Sequence, residues 1–441
     1  MTDAKASPNG GADIWRIFFY FSHLTLFVYL VAPQQYLVDF TTTFMLKDRL
    51  HATATEVSML RLVTAIPLYV SFIFGFARDL WNPFGLRDRG FFLIFGAATA
   101  AVFVWMALTP LSFTSMFIGM FVMMLLYRFV AAAYQGLLAL VGQERLMSGR
   151  LTAVWQIVST VPSMIGGFAA GPLVERLQPS QIFLMMAGLA LALALTGFWK
   201  PKAVFGHAYD KPEARGTTFI GDVKRLVKHK AIYPAVLVIF LFQFSPGSNT
   251  PLQFYLTNQL HAPNAIYGDY NAIFAGAFIP MFFIYGWLCR KFTLRTLLWV
   301  GTVITVPQMM PLAFIHSGTQ ALILAAPIGM MGGIAAGAYY DLAIRSCPPG
   351  LQGTLMMLVD GFFYLSYRVG DLVGSKIYGL SPTHGFLYCA LATTAVYALI
   401  LPVLLMIPKA LIATTDGQAN PAVDAATLAE IGAAKPAAAA S

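Results

Sequence analysis

Charge is what this chain has least of. Only 11% of its 441 residues are Asp, Glu, Lys or Arg, where a soluble domain carries roughly a quarter, and the deficit excludes a water-facing surface over most of the molecule. Cysteine is scarce as well. Cys289, Cys347 and Cys389 stand far apart without a CxxC pair, which excludes a disulfide framework and a thiolate zinc site. The seven histidines form no HExxH or clustered pattern, and no Walker, Rossmann or Gly-x-Ser-x-Gly motif occurs. The sequence therefore offers no metal site, no cofactor site and no residues for an ATP-driven pump or a hydrolase. The expectation is a protein that is not an enzyme.

What fills the space is apolar: 58% of the chain is hydrophobic and 14% aromatic. Runs such as "FFLIFGAATAAVFVWMAL" and "TTAVYALILPVLLMI" approach the ~20 residues that cross a ~30 Å hydrocarbon core. The short alternating segments of a membrane β-barrel are absent. The fold class is an all-α polytopic membrane protein with twelve spans, near 15–45, 57–76, 90–109, 113–138, 151–172, 181–199, 232–257, 267–288, 297–315, 320–343, 353–375 and 384–408. The polar stretch between the sixth and seventh divides the chain. The expected organisation is an N-terminal segment over 1–14, a six-helix bundle over 15–199, a linker over 200–231, a second bundle over 232–408 and a tail over 409–441. The tail is Ala-rich from about Thr414 and is expected to be disordered. The first apolar stretch is too long for a signal-peptide core and is expected to be retained.

Lys and Arg fall almost entirely in alternate loops. Arg78, Arg87, Arg89, Arg145, Arg150, Arg290, Lys291, Arg295 and Arg345 share one side with the basic linker, against Lys47, Arg49, Arg176 and Lys376 on the other. The positive-inside rule then puts both termini in the cytoplasm of a multi-pass protein of the cell inner membrane. The formal charge of +9 is explained by topology, and nucleic acid is not expected as a partner.

One loop breaks the apolar pattern sharply: "FARDLWNPFGLRDRGFF" at 76–92, just after Gly75. Its counterpart in the second half is "GWLCRKFTLR", with Gly286 and Arg290 in the places of Gly75 and Asp79. A glycine lets two helices approach, a carboxylate favours the N-terminal end of a neighbouring helix, and arginines hold carbonyl or acidic groups. Gly75, Asp79, Arg87, Arg89 and Arg290 are therefore read as a cytoplasmic gate, against the plainer reading of a positive-inside loop. The loop resembles the signature of the major facilitator superfamily, which implies two pseudo-symmetric six-helix bundles that rock about a midplane site. With "YLVDFTTTFMLKDRLHATATEVSMLRLVTAIPLYVSFIFGFARD" before it and "FSPGSNTPLQFYLTNQL" in the seventh span, the chain resembles the folate-biopterin transporter family more particularly. It departs from that family in the second span, where Ser71 and Phe72 stand in place of the basic residue often found there.

Ionisable groups inside a bilayer cost ~2.5–3.5 kcal/mol each on insertion scales, so each needs a partner or a task. The fourth span places Arg128 near its middle beside Tyr127, Tyr134 and Gln135. It is read either as a structural ion pair or as the holder of an anionic substrate group. The eleventh span lines up Asp360, Tyr364, Arg368 and Asp371 on one helical face, with Arg368 and Asp371 spaced to pair. That face is an interhelical lock or a cavity-lining stripe. Pro33 in the first span is followed by Gln34, Gln35 and Asp39 at helical spacing, and the seventh contributes Asn249 and Gln253 around Pro246 and Gly247. The expected substrate contacts are Arg128, Arg368, Tyr364, Tyr127, Gln34, Gln35, Asn249 and Gln253, and the expected proton carriers are Asp39, Asp360 and Asp371.

These readings describe a monomeric secondary active transporter in the lipid bilayer that moves a small organic, anionic solute by alternating access with a proton as coupling ion. The resemblance implies a pterin- or folate-like solute. The competing reading is a non-transporting assembly or pigment-delivery factor on the same fold.

Overall fold

Long apolar runs without water must satisfy every backbone N–H and C=O internally, and helices do this within one segment. All regular elements among the described residues of the computed structural model, 11–52, 54–205 and 219–418, are helical. Nine of the described helices are long and apolar enough to cross a membrane. They match the first, third to sixth, eighth to tenth and twelfth expected spans. The three that fall short do so for visible reasons. The eleventh, Gln352–Tyr378, carries Asp360, Arg368, Asp371 and Lys376. The second is cut into Ala54–Thr64, Ile66–Tyr69 and Phe72–Leu80 around Pro67. The seventh stops at Gln243, passes Pro246 and Gly247, and restarts as Thr250–Phe254. Proline removes a donor and clashes with the preceding turn, so each break sits at one.

The first span is also not continuous. Gly11–Val31 ends before Pro33, and Tyr36–Phe44 begins after a turn in which the Gln35 N–H donates to Ala32 O at 3.0 Å. Gln34 and Gln35 therefore lie in the turn and not on a helical face with Asp39, as their spacing suggested. Past the break, the first and seventh spans close alike. Each ends in a wide π-type turn, Met45–Arg49 and Tyr255–Gln259, followed by the tripeptide Leu-His-Ala at 50–52 and 260–262. His51 and His261 both take positive φ, 52° and 50°, and the Ala52 and Ala262 N–H groups donate to Leu46 O and Leu256 O, both at 2.9 Å. This is an internal repeat in backbone geometry as well as sequence.

The chain folds as two compact units. The first takes the described residues of 1–147, 161–222 and 349–357, and the second those of 148–160, 223–348 and 358–441. In the first, Asp88–Leu108 packs closely on Pro179–Leu195 where Gly96 meets Ala194. In the second, Gly318–Arg345 lays Gly333 and Gly337 against Met281 and Tyr285 of Asn264–Leu288. Small residues at four-residue spacing permit that approach. The tail expected to be disordered from 409 starts with order: Lys409–Ile412 is a helical turn and Asp416 is buried. Residues 419–441, 1–10 and 206–218 lie outside the described residues.

Candidate functional site

In the first unit the fourth span, Phe113–Glu144, carries Arg128 at 1% exposure. Its Nη1 donates to Ser71 Oγ at 3.4 Å, and its guanidinium lies 5.1 Å from the centre of the Tyr127 ring. Ser71 sits just before Phe72–Leu80, and its hydroxyl also donates to Leu68 O at 2.5 Å. The break in the second span is therefore what presents a hydroxyl to the arginine. Tyr134, about two helical turns on from Tyr127, shares a 2.6 Å hydrogen bond with Thr25. Gln35 Oε1 accepts from Ser163 at 2.9 Å. Among the described residues, Gln34 Oε1 and Gln135 Oε1 are buried acceptors with no hydrogen-bond donor on them. Asp39 is held by both sides of a guanidinium fork, Arg61 Nε at 3.0 Å and Nη2 at 2.5 Å, and Arg61 also reaches Thr43 Oγ1.

In the second unit the broken seventh span is stitched to the eleventh. Asp371 Oδ1 accepts from the Thr250 N–H at 2.9 Å and Oδ2 from its hydroxyl at 3.0 Å, so the carboxylate caps the restarted helix. The expected Arg368–Asp371 pair is not formed: cap geometry turns Asp371 across to the seventh span, while Arg368 stays exposed with its guanidinium 5.7 Å from the Tyr367 ring. The Tyr367 hydroxyl donates to Asn249 Oδ1 at 3.0 Å. Asp360 and Tyr364 are half-buried and Gln253 is exposed. Ser245 and Ser248 are hydrogen-bonded to one another, and the Gly247 N–H donates to Thr393.

The loop after the second span builds a dense cluster. A Cβ at Gly75 would lie 2.6 Å from Gly353 O and Thr354 Cα, so only glycine admits the start of Gln352–Tyr378 there. Asp79 then accepts from the Gly353 N–H at 3.2 Å, the Thr354 N–H at 2.7 Å and the Thr354 hydroxyl at 2.6 Å. Burial pushes its carboxyl above the ordinary value against the pull of Arg78. Arg78 binds Asp79 at 2.8 Å and forks onto Asp88 at 2.5 and 2.7 Å. Arg78 was read from sequence only as a loop cation, and Asp88 and Thr354 were not singled out, because charges of both signs crowd that loop and the helix start lies far along the chain.

One of the expected gate arginines does other work. Arg89 Nε donates to Gly197 O at 2.8 Å, holding the end of the sixth span within its own unit and not a facing half. Arg87 enters the next helix at φ 52°, its N–H on Asn82 Oδ1 at 2.7 Å. The "LWNPF" stretch of this loop leads into a compact turn over Pro83–Gly85, and the approach of Gly90 to Pro83 O closes it. Arg290 is exposed and makes no ion pair among the described residues.

The Major Facilitator Superfamily profile matches residues 15–370. A folate-biopterin transporter of Synechocystis sp. is 23% identical over 387 residues, covering 82% of this chain and 76% of that protein. Folate transporter 2 of Plasmodium falciparum is 18% identical over 295 residues, covering 65% and 63%. A solved structure described as the Major Facilitator Superfamily transporter FucP in the outward conformation superposes with TM-score 0.62 at 16% identity, over 89% of this chain and 98% of that one. The chain belongs to the Major Facilitator Superfamily, a family of membrane transporters, and has its fold of two six-helix bundles.

Proposed function

We propose that this protein is a proton-coupled secondary active transporter of a small anionic solute carrying a pterin- or folate-like ring, working by alternating access in the cell inner membrane with both termini cytoplasmic. The observation that carries the reading is Arg128. A guanidinium cannot shed its proton in a protein, so Arg128 puts a permanent positive charge inside a spanning helix, beside the Ser71 hydroxyl and the Tyr127 ring, and a fixed cation at that depth suits recognition of an anion. Gln34 Oε1 and Gln135 Oε1 supply acceptors of the kind a pterin's amino and ring N–H groups need, since an unmet buried acceptor costs about 1–3 kcal/mol. Arg368, Tyr364 and Asn249 are further contacts for an anionic solute, and Asp360 carries the coupled proton. Asp371 is assigned to holding the seventh span, and Asp39 to holding Arg61. The names of the two relatives support the choice of ring.

Purified protein in proteoliposomes tests this directly. Folic acid and biopterin should accumulate when the lumen is alkaline relative to the bath, and Arg128→Ala should abolish the accumulation, with Arg128→Lys rescuing poorly because the planar fork is lost. Wild-type protein that moves neither solute under any imposed gradient would refute the solute assignment and favour an assembly factor.

A further inference from the structure

The first half holds the start of Gln352–Tyr378 with its own loop carboxylate, Asp79. The second half has an equivalent helix start, Ser148–Arg176, and the two begin with the same pattern, "SGRL" at 148–151 and "QGTL" at 352–355. Each glycine is pressed onto the end of a helix from the other half of the sequence: Gly353 onto Arg78, and Gly149 onto Cys289, where a Cβ would lie 2.9 Å from the cysteine Cβ. Counting from Gly75 and Gly286, Arg78 and Cys289 occupy the same place, so Arg290 stands where Asp79 does. That position now holds a cation, which cannot accept an N–H.

The missing acceptor comes from beyond the last span. Asp416 Oδ1 accepts from the Gly149 N–H at 3.1 Å, and Oδ2 from Arg150 Nε at 2.5 Å. Asp79 takes the same two partners at its end, the glycine N–H and the side chain of the next residue. Asp416 is buried, and its own N–H donates to Cys289 O at 2.9 Å. The strand of chain around it is fixed at two further points: Thr414 O accepts from Arg345 Nη1 at 3.1 Å and from the Leu294 N–H at 3.5 Å. Arg345 in turn binds Asp341 at 2.9 Å and Ser148 Oγ at 3.2 Å, and Tyr285 donates to Asp341 at 2.9 Å. All of these residues belong to the second unit.

We propose that residues 409–418 form a strap that works in the transport cycle, with Asp416 as the positioning residue that replaces Asp79 in the second half. The carboxyl accepts a first-turn N–H that has no partner within its own helix, and its guanidinium partner fixes the orientation. A strap can leave without unfolding a span, so the second end is released by moving a short segment, whereas the first end must part from its own loop.

Cys289 is a native reporter for this contact. It is 1% exposed, and burial pushes its thiol far above the ordinary value, so it should react slowly. In full-length protein carrying Cys347→Ala and Cys389→Ala, Asp416→Ala should raise the N-ethylmaleimide labelling rate of Cys289 at least tenfold. Asp416→Asn, which keeps an acceptor for Gly149 but turns an NH₂ toward Arg150, should raise it less. In proteoliposomes the maximal rate of folic acid uptake should fall about tenfold in Asp416→Ala with half-saturation unchanged. Unchanged labelling in both variants, or a loss confined to half-saturation, would overturn the strap. If wild-type protein takes up no folic acid, the solute reading fails while the labelling arm still decides this one.

Discussion

The loop ends after the second and eighth spans share a glycine and differ in the sign of the residue four places on, and that difference shows where the internal symmetry of this chain resides. Asp79 is local and buried, with Arg78 and Asp88 packed round it at 8% and 2% side-chain exposure. Arg290 is exposed, and a carboxylate from the C-terminal segment takes over the helix start. The two halves repeat a contact in space without repeating the residue that makes it. The spanning arginines contrast in the same way: Arg128 is buried in the first unit, and Arg368 is exposed in the second.

The largest expected effect separates those two arginines. Arg128→Ala should abolish uptake and also lower the melting temperature markedly, because it empties a fully buried site. Arg368→Ala should abolish uptake while leaving the melting temperature within error. Equal melting temperatures for the two variants would erase the distinction drawn between the units. Next comes Asp79→Ala, which strips two backbone N–H groups and leaves Arg78 half-matched; removing one member of a buried pair costs about 3–5 kcal/mol. Asp79→Asn, milder, should slow uptake and leave half-saturation nearly intact, and equal damage to both would count against a gate. Asp416→Ala should cost less stability than Asp79→Ala, since it strips one backbone N–H instead of two and its partner Arg150, at 18% side-chain exposure against 8% for Arg78, can turn to water. Asp371→Ala should cost about 0.5–2 kcal/mol, the usual range for losing a helix cap, readable as a lower thermal midpoint.

The smallest effect is one of pH. Burial, and then the neighbouring Asp341, push the Asp416 carboxyl up to about 6, with Arg150 and Arg345 pulling the other way; Cys289 and Tyr285 complete its surroundings. Because the docked carboxyl binds its proton more tightly than a free one, docking is strongest at low pH and loses strength as pH rises through about 6. Hydrogen exchange over 409–418, corrected for intrinsic rates, should therefore show more protection at pH 5 than at pH 7.5, and Asp416→Asn should flatten the difference.

Much of this was legible in the residues. The shortage of charge set the spans, the Lys/Arg bias of the loops set the expected sidedness, and Gly75 with Asp79 pointed to a close contact with a helix start, which Gly353 and Thr354 make. The hydropathy runs hid the breaks, since Pro33, Pro67 and Pro246 interrupt helices without interrupting apolarity. The Leu-His-Ala repeat went unread because three residues are too few to stand out until the π-turns align them. Arg368 and Asp371 were spaced to pair, yet a vacant helix start across from Asp371 is a better partner than a flexible exposed cation. Asp416 was invisible for a different reason. It lies in an Ala-rich polar stretch whose composition argues for disorder, and only the absence of a carboxylate at Arg290 hinted that one had to come from elsewhere.

The most direct test moves the charge back. Arg290→Asp placed on the Asp416→Ala background restores to the second half the residue the first half has, and Cys289 labelling should slow again toward the wild-type rate. Labelling that stays as fast as in Asp416→Ala alone would mean that the two loop ends are not the same device, and the comparison on which this account rests would fail.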